Sequence, residues 1–187
     1  MNRRHIVLAA GAALFAAGVA AARTLPSAAS MLTVAEIEQV LAQAVARAQQ
    51  LRVNATIALV DREGNILAVL RTTEPAFPPA LTTSTISAGG SGGLEGAVVS
   101  AAILATTKAG SASFLSTNGN AFTTRTASYI IQPNFPPGIA FQDSGPLFGV
   151  QFSSLPTSDI KRLPLRLAAD PGGVPLYRNG EMVAGIG

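Results

Sequence analysis

The chain has 187 residues, no cysteine, and 13 Lys and Arg against 10 Asp and Glu. Without cysteine, a disulfide scaffold, a lipidated cysteine anchor and thiolate metal ligation are all excluded. The cations stand singly apart from Arg3-Arg4 and Lys161-Arg162, so there is no basic stripe interleaved with aromatics to neutralise the phosphates of nucleic acid.

The N-terminus opens on the cationic stretch Asn2-Arg3-Arg4-His5 and runs from Ile6 to Ala22 with nothing more polar than glycine. A short charged region, an apolar region and the small residues Ala20-Ala21-Ala22 are the three parts of a secretory signal peptide. The run is mostly Ala and Gly, too weakly apolar for the roughly 20 strongly hydrophobic residues of a membrane span. Residues 1–22 therefore read as a removed signal peptide and 23–32 as a linker. The mature protein is expected in the periplasm or outside the cell, with no stable membrane insertion after cleavage. Once Arg3 and Arg4 leave, eleven cations face ten anions and the charge is near neutral. The remaining residues, 33–187, are about one domain's worth.

Thr33-Val34-Ala35-Glu36 is a capping box. The helix it opens brings Ile37, Val40, Leu41, Ala44, Val45, Ala48 and Leu51 onto one face. Residues 55–60 and 66–71 read as strands joined by Asp61-Arg62-Glu63-Gly64-Asn65 into a hairpin. Residues 72–93, rich in Pro, Thr, Ser and Gly, read as a flexible loop. A helix of small residues is expected from Leu94 to about Ala112, able to approach a sheet or a flat ligand closely. Residues 116–160 read as an insertion that forms an ordered cover. Phe122, Phe135, Phe141, Phe148 and Phe152 argue for packing there, and one short helix is expected from Thr124 to Gln132. Leu163, Leu165 and Leu167 alternate with Pro164, Arg166 and Ala168, and Asp170-Pro171-Gly172-Gly173 makes a turn. The strands 174–178 and 181–186 are joined by a type I′ turn at Asn179-Gly180. The parts sum to an α+β fold, an antiparallel sheet of hairpins with helices packed on it. The last strand is expected at an exposed edge, which suggests a truncated domain copy and favours a homo-oligomer.

Several chemistries lack their residues. Gly89-Gly90-Ser91-Gly92-Gly93 has the spacing of a hydrolase nucleophile elbow, but the base is missing because His5, the single histidine, lies in the signal peptide. The same absence removes the usual zinc and copper ligands. The Asp61–Asn65 loop lacks the spaced acids of a calcium site, and no phosphate-binding glycine loop is present. No catalytic residue can be assigned, and the chain reads as a binding protein rather than an enzyme.

The capped helix, the hairpin Ala55-Thr56-Ile57-Ala58-Leu59-Val60-Asp61-Arg62-Glu63-Gly64-Asn65-Ile66-Leu67-Ala68-Val69, the helix carrying Lys108-Ala109-Gly110-Ser111-Ala112 and the final Asn-Gly hairpin together resemble the GlcG/HbpS-type heme-binding family. The resemblance covers most of residues 33–114 and 163–187. The family's Lys-Ala-x-Thr-Ala-x-x-Phe pattern departs here, with Ser111 in place of Thr and Phe114 one place early. The segments 118–128 and 145–152 resemble a longer exported subgroup that continues beyond Gly187. The resemblance implies a heme-binding module for transport, binding or sensing, with heme or a related tetrapyrrole as partner and Lys108, Ser111 and Phe114 at the site.

Porphyrin is a flat apolar plate with two propionates, so a binder needs an apolar slot and one or two cations at its rim. Lys108, Arg125 and Arg178 are candidates for that rim. For iron the chain offers Tyr129, Tyr177, Met31, Met182, Lys108 or no protein ligand. Tyr129 is the best of these, because a phenolate suits ferric iron and Arg125 lies four residues earlier on the same helical face. Tyr177 beside Arg178 is weaker, since adjacent strand residues point to opposite faces. The alternative is a cofactor-free structural or sensory module in which Lys108 caps a helix end and Phe114 is core. The signal peptide makes a direct prediction: N-terminal sequencing of the exported protein starts at Arg23 or within a few residues of it, and an intact Met1 on membrane-bound material contradicts it.

Overall fold

The computed structural model describes residues 31–85, 96–131, 153, 157–160, 162–168 and 170–187. The expected signal peptide, the expected linker to residue 30, the Gly89–Gly93 run and Phe135, Phe141, Phe148 and Phe152 lie outside the described residues. Among the described residues no helix is long and apolar enough to cross a membrane.

Helix α1 spans Val34–Gln50 and begins as its capping box requires. The Thr33 hydroxyl accepts from the Glu36 amide at 3.3 Å, and the Glu36 carboxylate accepts from the Thr33 amide at 2.7 Å. These bonds to Thr33, aided by the Arg178 guanidinium, hold the Glu36 carboxyl below its ordinary range. The chain then turns into strands β1, Thr56–Asp61, and β2, Ile66–Arg71. The turn between them is organised by Asp61, whose carboxylate accepts from the Glu63 and Asn65 amides at 2.9 and 2.8 Å and from the Asn65 side chain at 2.7 Å.

The stretch expected to be loop and helix start carries two short strands, β3, Thr83–Thr85, and β4, Val98–Ser100, paired as a separate two-stranded sheet. The β-branched Val98 and Val99 favour that extended conformation. Helix α2 consequently starts later than expected. It spans Ala101–Leu115 with Ser100 as N-cap, the Ser100 hydroxyl accepting from the Ala102 amide at 3.3 Å. Lys108 is thus mid-helix rather than at a helix end. Helix α3, Thr124–Ile131, lies where the short helix was expected. The leucine alternation at 163–167 does not form a strand; the segment turns, with Arg166 at φ 62°.

Strands β5, Val174–Arg178, and β6, Glu181–Ile186, are joined at Asn179-Gly180, with φ 51° and 82° as a type I′ turn demands. The main sheet runs β2-β1-β6-β5, all antiparallel. β6 is therefore interior, contrary to the expected exposed edge. It pairs with β5 on one side and β1 on the other, and Gly187 exchanges both backbone hydrogen bonds with Ala58, at 2.8 and 3.0 Å. The edges belong to β2 and β5, so the reason for expecting association through β6 disappears.

Alternation on β1 assigns the two faces. Ala58 and Val60 join Ala105, Ala109 and Leu163 in the core beneath α2. Leu59 points the other way and is fully buried. On that second face α1 runs over β1 and β2, and its N-terminus is tied to the end of β5 by the Arg178–Glu36 ion pair. The approach of α2 is unusually close because β6 presents glycine to it. A Cβ at Gly185 would overlap the carbonyl oxygen of Ala109 and lie 3.0 Å from the Ser113 amide, and one at Gly187 would come 2.5 Å from the Ala105 oxygen. Since both obstacles are backbone, no rotamer change relieves them. Gly185→Ala should therefore lower stability by about 2 kcal/mol or more in urea unfolding, as overpacking does. An unchanged midpoint would mean that the helix can shift away from the strand.

Candidate functional site

Beside its contact with the main sheet α2 borders a cleft, where Leu104 and Ala105 are themselves buried and Ala105 also belongs to the core. Ala101, Leu104, Ala105 and Lys108 follow one another at short helical steps, with three or four residues between successive turns, so they share a helical face. They form the floor of a cleft of about 330 Å³. Asn54, Ala55 and Thr56, at the entry to β1, close one end; Leu81 and Ser84 form the wall on the β3 side; Gly172 and Gly187 form the other. Leu81 is 71% exposed, an apolar side chain standing in water at the mouth.

Lys108 is the only charged side chain among the described lining residues. Its side chain crosses Gly172, where an added Cβ would stand 3.3 Å from Lys108 Cδ and 3.7 Å from Nζ. Gly172 has φ 130°, a conformation that side-chain-bearing residues rarely adopt, so the Asp170–Gly173 turn both reaches this geometry and leaves room for the lysine. Among the described residues the Lys108 ammonium has no hydrogen bond or ion pair. A half-buried cation at the end of an apolar floor, without a protein counter-ion, is suited to an anionic group on an apolar ligand.

The other expected site residues are placed differently. Ser111 is fully buried, and its hydroxyl donates to the Thr107 carbonyl at 2.8 Å while accepting from the Ala168 amide at 2.7 Å. It clamps the 162–168 segment to α2 and is closed off from any ligand. Phe114 lies six residues past Lys108, about 9 Å along the helix axis. It is 40% exposed, and its ring covers Gly64 in the β1–β2 turn. Arg125 and Tyr129 share one face of α3 as their spacing requires, but neither is buried and neither lines the cleft. The link between α3 and the cleft runs through Thr124: its amide donates to the Gly173 carbonyl at 3.0 Å, and its hydroxyl accepts from the Gly173 amide at 2.8 Å.

Three further candidates are committed to the fold. Arg178 pairs with Glu36 and donates to the Met31 carbonyl at 3.2 Å. The Tyr177 hydroxyl reaches the Thr117 and Asn120 carbonyls at 2.9 and 3.2 Å, pinning the turn after α2 to β5. Met182 is 2% exposed within β6. Among the described residues no cluster of three or more His, Cys, Asp or Glu is placed to hold a metal ion.

Of the expected residues, then, only Lys108 reaches the cleft. Sequence reasoning misses Leu104, Leu81, Gly172 and Gly187 as site residues. The stripe Ala101, Leu104, Ala105, Lys108 is readable from helical spacing. The two glycines and Leu81 arrive from distant parts of the chain and carry no local signal. A second cleft, about 320 Å³, lies between α1 and the segment after β2, lined by Val45, Ala48, Leu70, Arg71, Glu74 and Phe77. Its arginine already donates to the Ala80 carbonyl at 2.9 Å.

No family model matches the chain, and no curated protein matches it. Solved structures share its fold, among them the following two. The crystal structure of a PduOC:heme complex aligns with TM-score 0.53 and 24% identity over 84% of this chain and 80% of that one. Klebsiella pneumoniae protein ORFY, a DUF336 protein, aligns with TM-score 0.50 and 22% identity over 83% of this chain and 76% of that one. The chain thus has the α+β fold of these two proteins, an antiparallel sheet with helices packed on it.

Proposed function

We propose that this protein is an exported heme-binding module of the periplasm or cell exterior, and that it holds the porphyrin in the cleft beside α2. The observation that carries the reading is the lining Ala101, Leu104, Ala105 ending in the ammonium of Lys108, which has no partner among the described residues. Small side chains let a flat ring lie against the helix, and the lysine meets a propionate at the edge. Further support comes from the shared fold of the PduOC:heme complex and from the DUF336 neighbour, whose family is GlcG-like.

The fit is to the ring and its carboxylates. Each 100 Å² of macrocycle taken from water supplies about 2.5 kcal/mol before the costs of association. A partly exposed ammonium–carboxylate pair adds about 1 kcal/mol. A cleft of about 330 Å³ is at the small end of ligand pockets, so part of the ring stands outside it. Binding is the role proposed for the cleft.

An absorbance titration of the purified protein with ferric heme tests this. A saturable Soret shift is expected, with affinity weakened about fivefold in Lys108→Met while circular dichroism is unchanged. No saturable shift in the wild-type protein would overturn heme binding and favour a cofactor-free interaction module.

A further inference from the structure

We propose that the cleft recognises the tetrapyrrole ring and its carboxylates and forms no coordinate bond to iron, so that it takes metal-free dicarboxylate porphyrins as well as heme. This rests on the proposed heme binding and narrows its ligand class. It comes from where the possible iron donors lie.

The chain contains one histidine, His5, and no cysteine; its tyrosines are Tyr129 and Tyr177, and its methionines Met1, Met31 and Met182. His5 and Met1 precede Arg23 and leave with the proposed signal peptide. The Tyr177 hydroxyl is held by two backbone carbonyls at the turn after α2. Met182 pairs across the sheet with Tyr177 just past a register shift, is 2% exposed and does not line the cleft. Met31 precedes α1, which packs on the opposite face of the sheet from α2. Tyr129 is 54% exposed on α3 and does not line the cleft.

The lining itself offers amide, hydroxyl and ammonium groups from Asn54, Thr56, Ser84 and Lys108. An ammonium has three hydrogens to donate and no lone pair. Lys108 can therefore meet a carboxylate or ligate iron, and it cannot do both at once. With the apolar floor beside it, its chemistry selects the carboxylate. Heme bound in such a site would meet the protein through its ring and carboxylates, and removing the metal would remove nothing that the protein touches.

Parallel titrations of the purified protein with protoporphyrin IX, followed by its fluorescence, and with ferric heme, followed by its Soret band, decide the point. Dissociation constants within about tenfold of each other are expected, both weakened to the same extent by Lys108→Met and neither altered by Tyr129→Phe. Heme binding more than about tenfold tighter than the free base overturns the inference while leaving heme binding intact. Loss of that advantage in Tyr129→Phe would identify the phenolate as the missing ligand. Failure of both ligands to bind overturns the heme reading itself.

Discussion

The arrangement depends on the contact between the backbone of α2 and the backbone of β6. Gly185 and Gly187 take the places where side chains would separate helix from strand, and the carbonyls of Ala105 and Ala109 occupy that space. The helix answers with small residues. Ala105, Ala109, Gly110, Ala112 and Ser113 are all buried, and each leaves something else room to approach. Leu163 fills the space over Gly110, and the Ser113 hydroxyl donates to the Asp61 carbonyl at 2.9 Å. Contact at this density yields dispersion energy and little tolerance for added volume. It fixes α2 in rotation as well as in distance, because hydrogen bonds from Ser111 and Ser113 seize it on two sides.

That rotation determines which residues face the cleft. With Ala109 and Ser113 turned toward the sheet, Ala101, Leu104, Ala105 and Lys108 border the cleft between Leu81 and Ser84 on one side and Gly172 on the other. The cleft walls are thus by-products of elements fastened for other reasons. The segment that delivers Leu81 is held by Asn54, whose side chain donates to the carbonyls of Glu74 and Pro78 at 2.9 and 3.1 Å and accepts from the Glu74 amide at 2.8 Å. Asn54 lines both clefts, so the strap that it holds is the partition between them. Gly172 is positioned by the reciprocal bonds between Gly173 and Thr124.

Much of the fold is legible in the sequence because its signals are local. The Thr33–Glu36 box, the Asp61–Asn65 turn and Asn179-Gly180 each specify their own backbone, and each forms where its residues stand. The small-residue character of α2 also announces close packing correctly. Long-range placement is the part that local signals leave open. β3 and β4 are three residues each and sit in a stretch whose composition says loop, and β6 looks terminal because chain order says nothing about pairing with β1. At the site the same division holds. Lys108, expected from the resemblance, lines the cleft. Ser111 and Phe114 stand where the family's pattern departs, and here they anchor the 162–168 segment and cover Gly64. Arg125 and Tyr129 obey helical spacing on a helix that does not face the cleft.

Amide chemical-shift mapping with protoporphyrin IX, which lacks the paramagnetism of ferric iron, tests the location of the site most directly. Perturbations gathered at Asn54, Ala55, Thr56, Leu81, Ser84, Gly172, Gly187 and the Ala101–Lys108 turns of α2 are expected. Perturbations confined to Arg125–Tyr129 of α3, or to the cleft bounded by Val45, Leu70 and Phe77, would contradict the placement of the ligand beside Lys108.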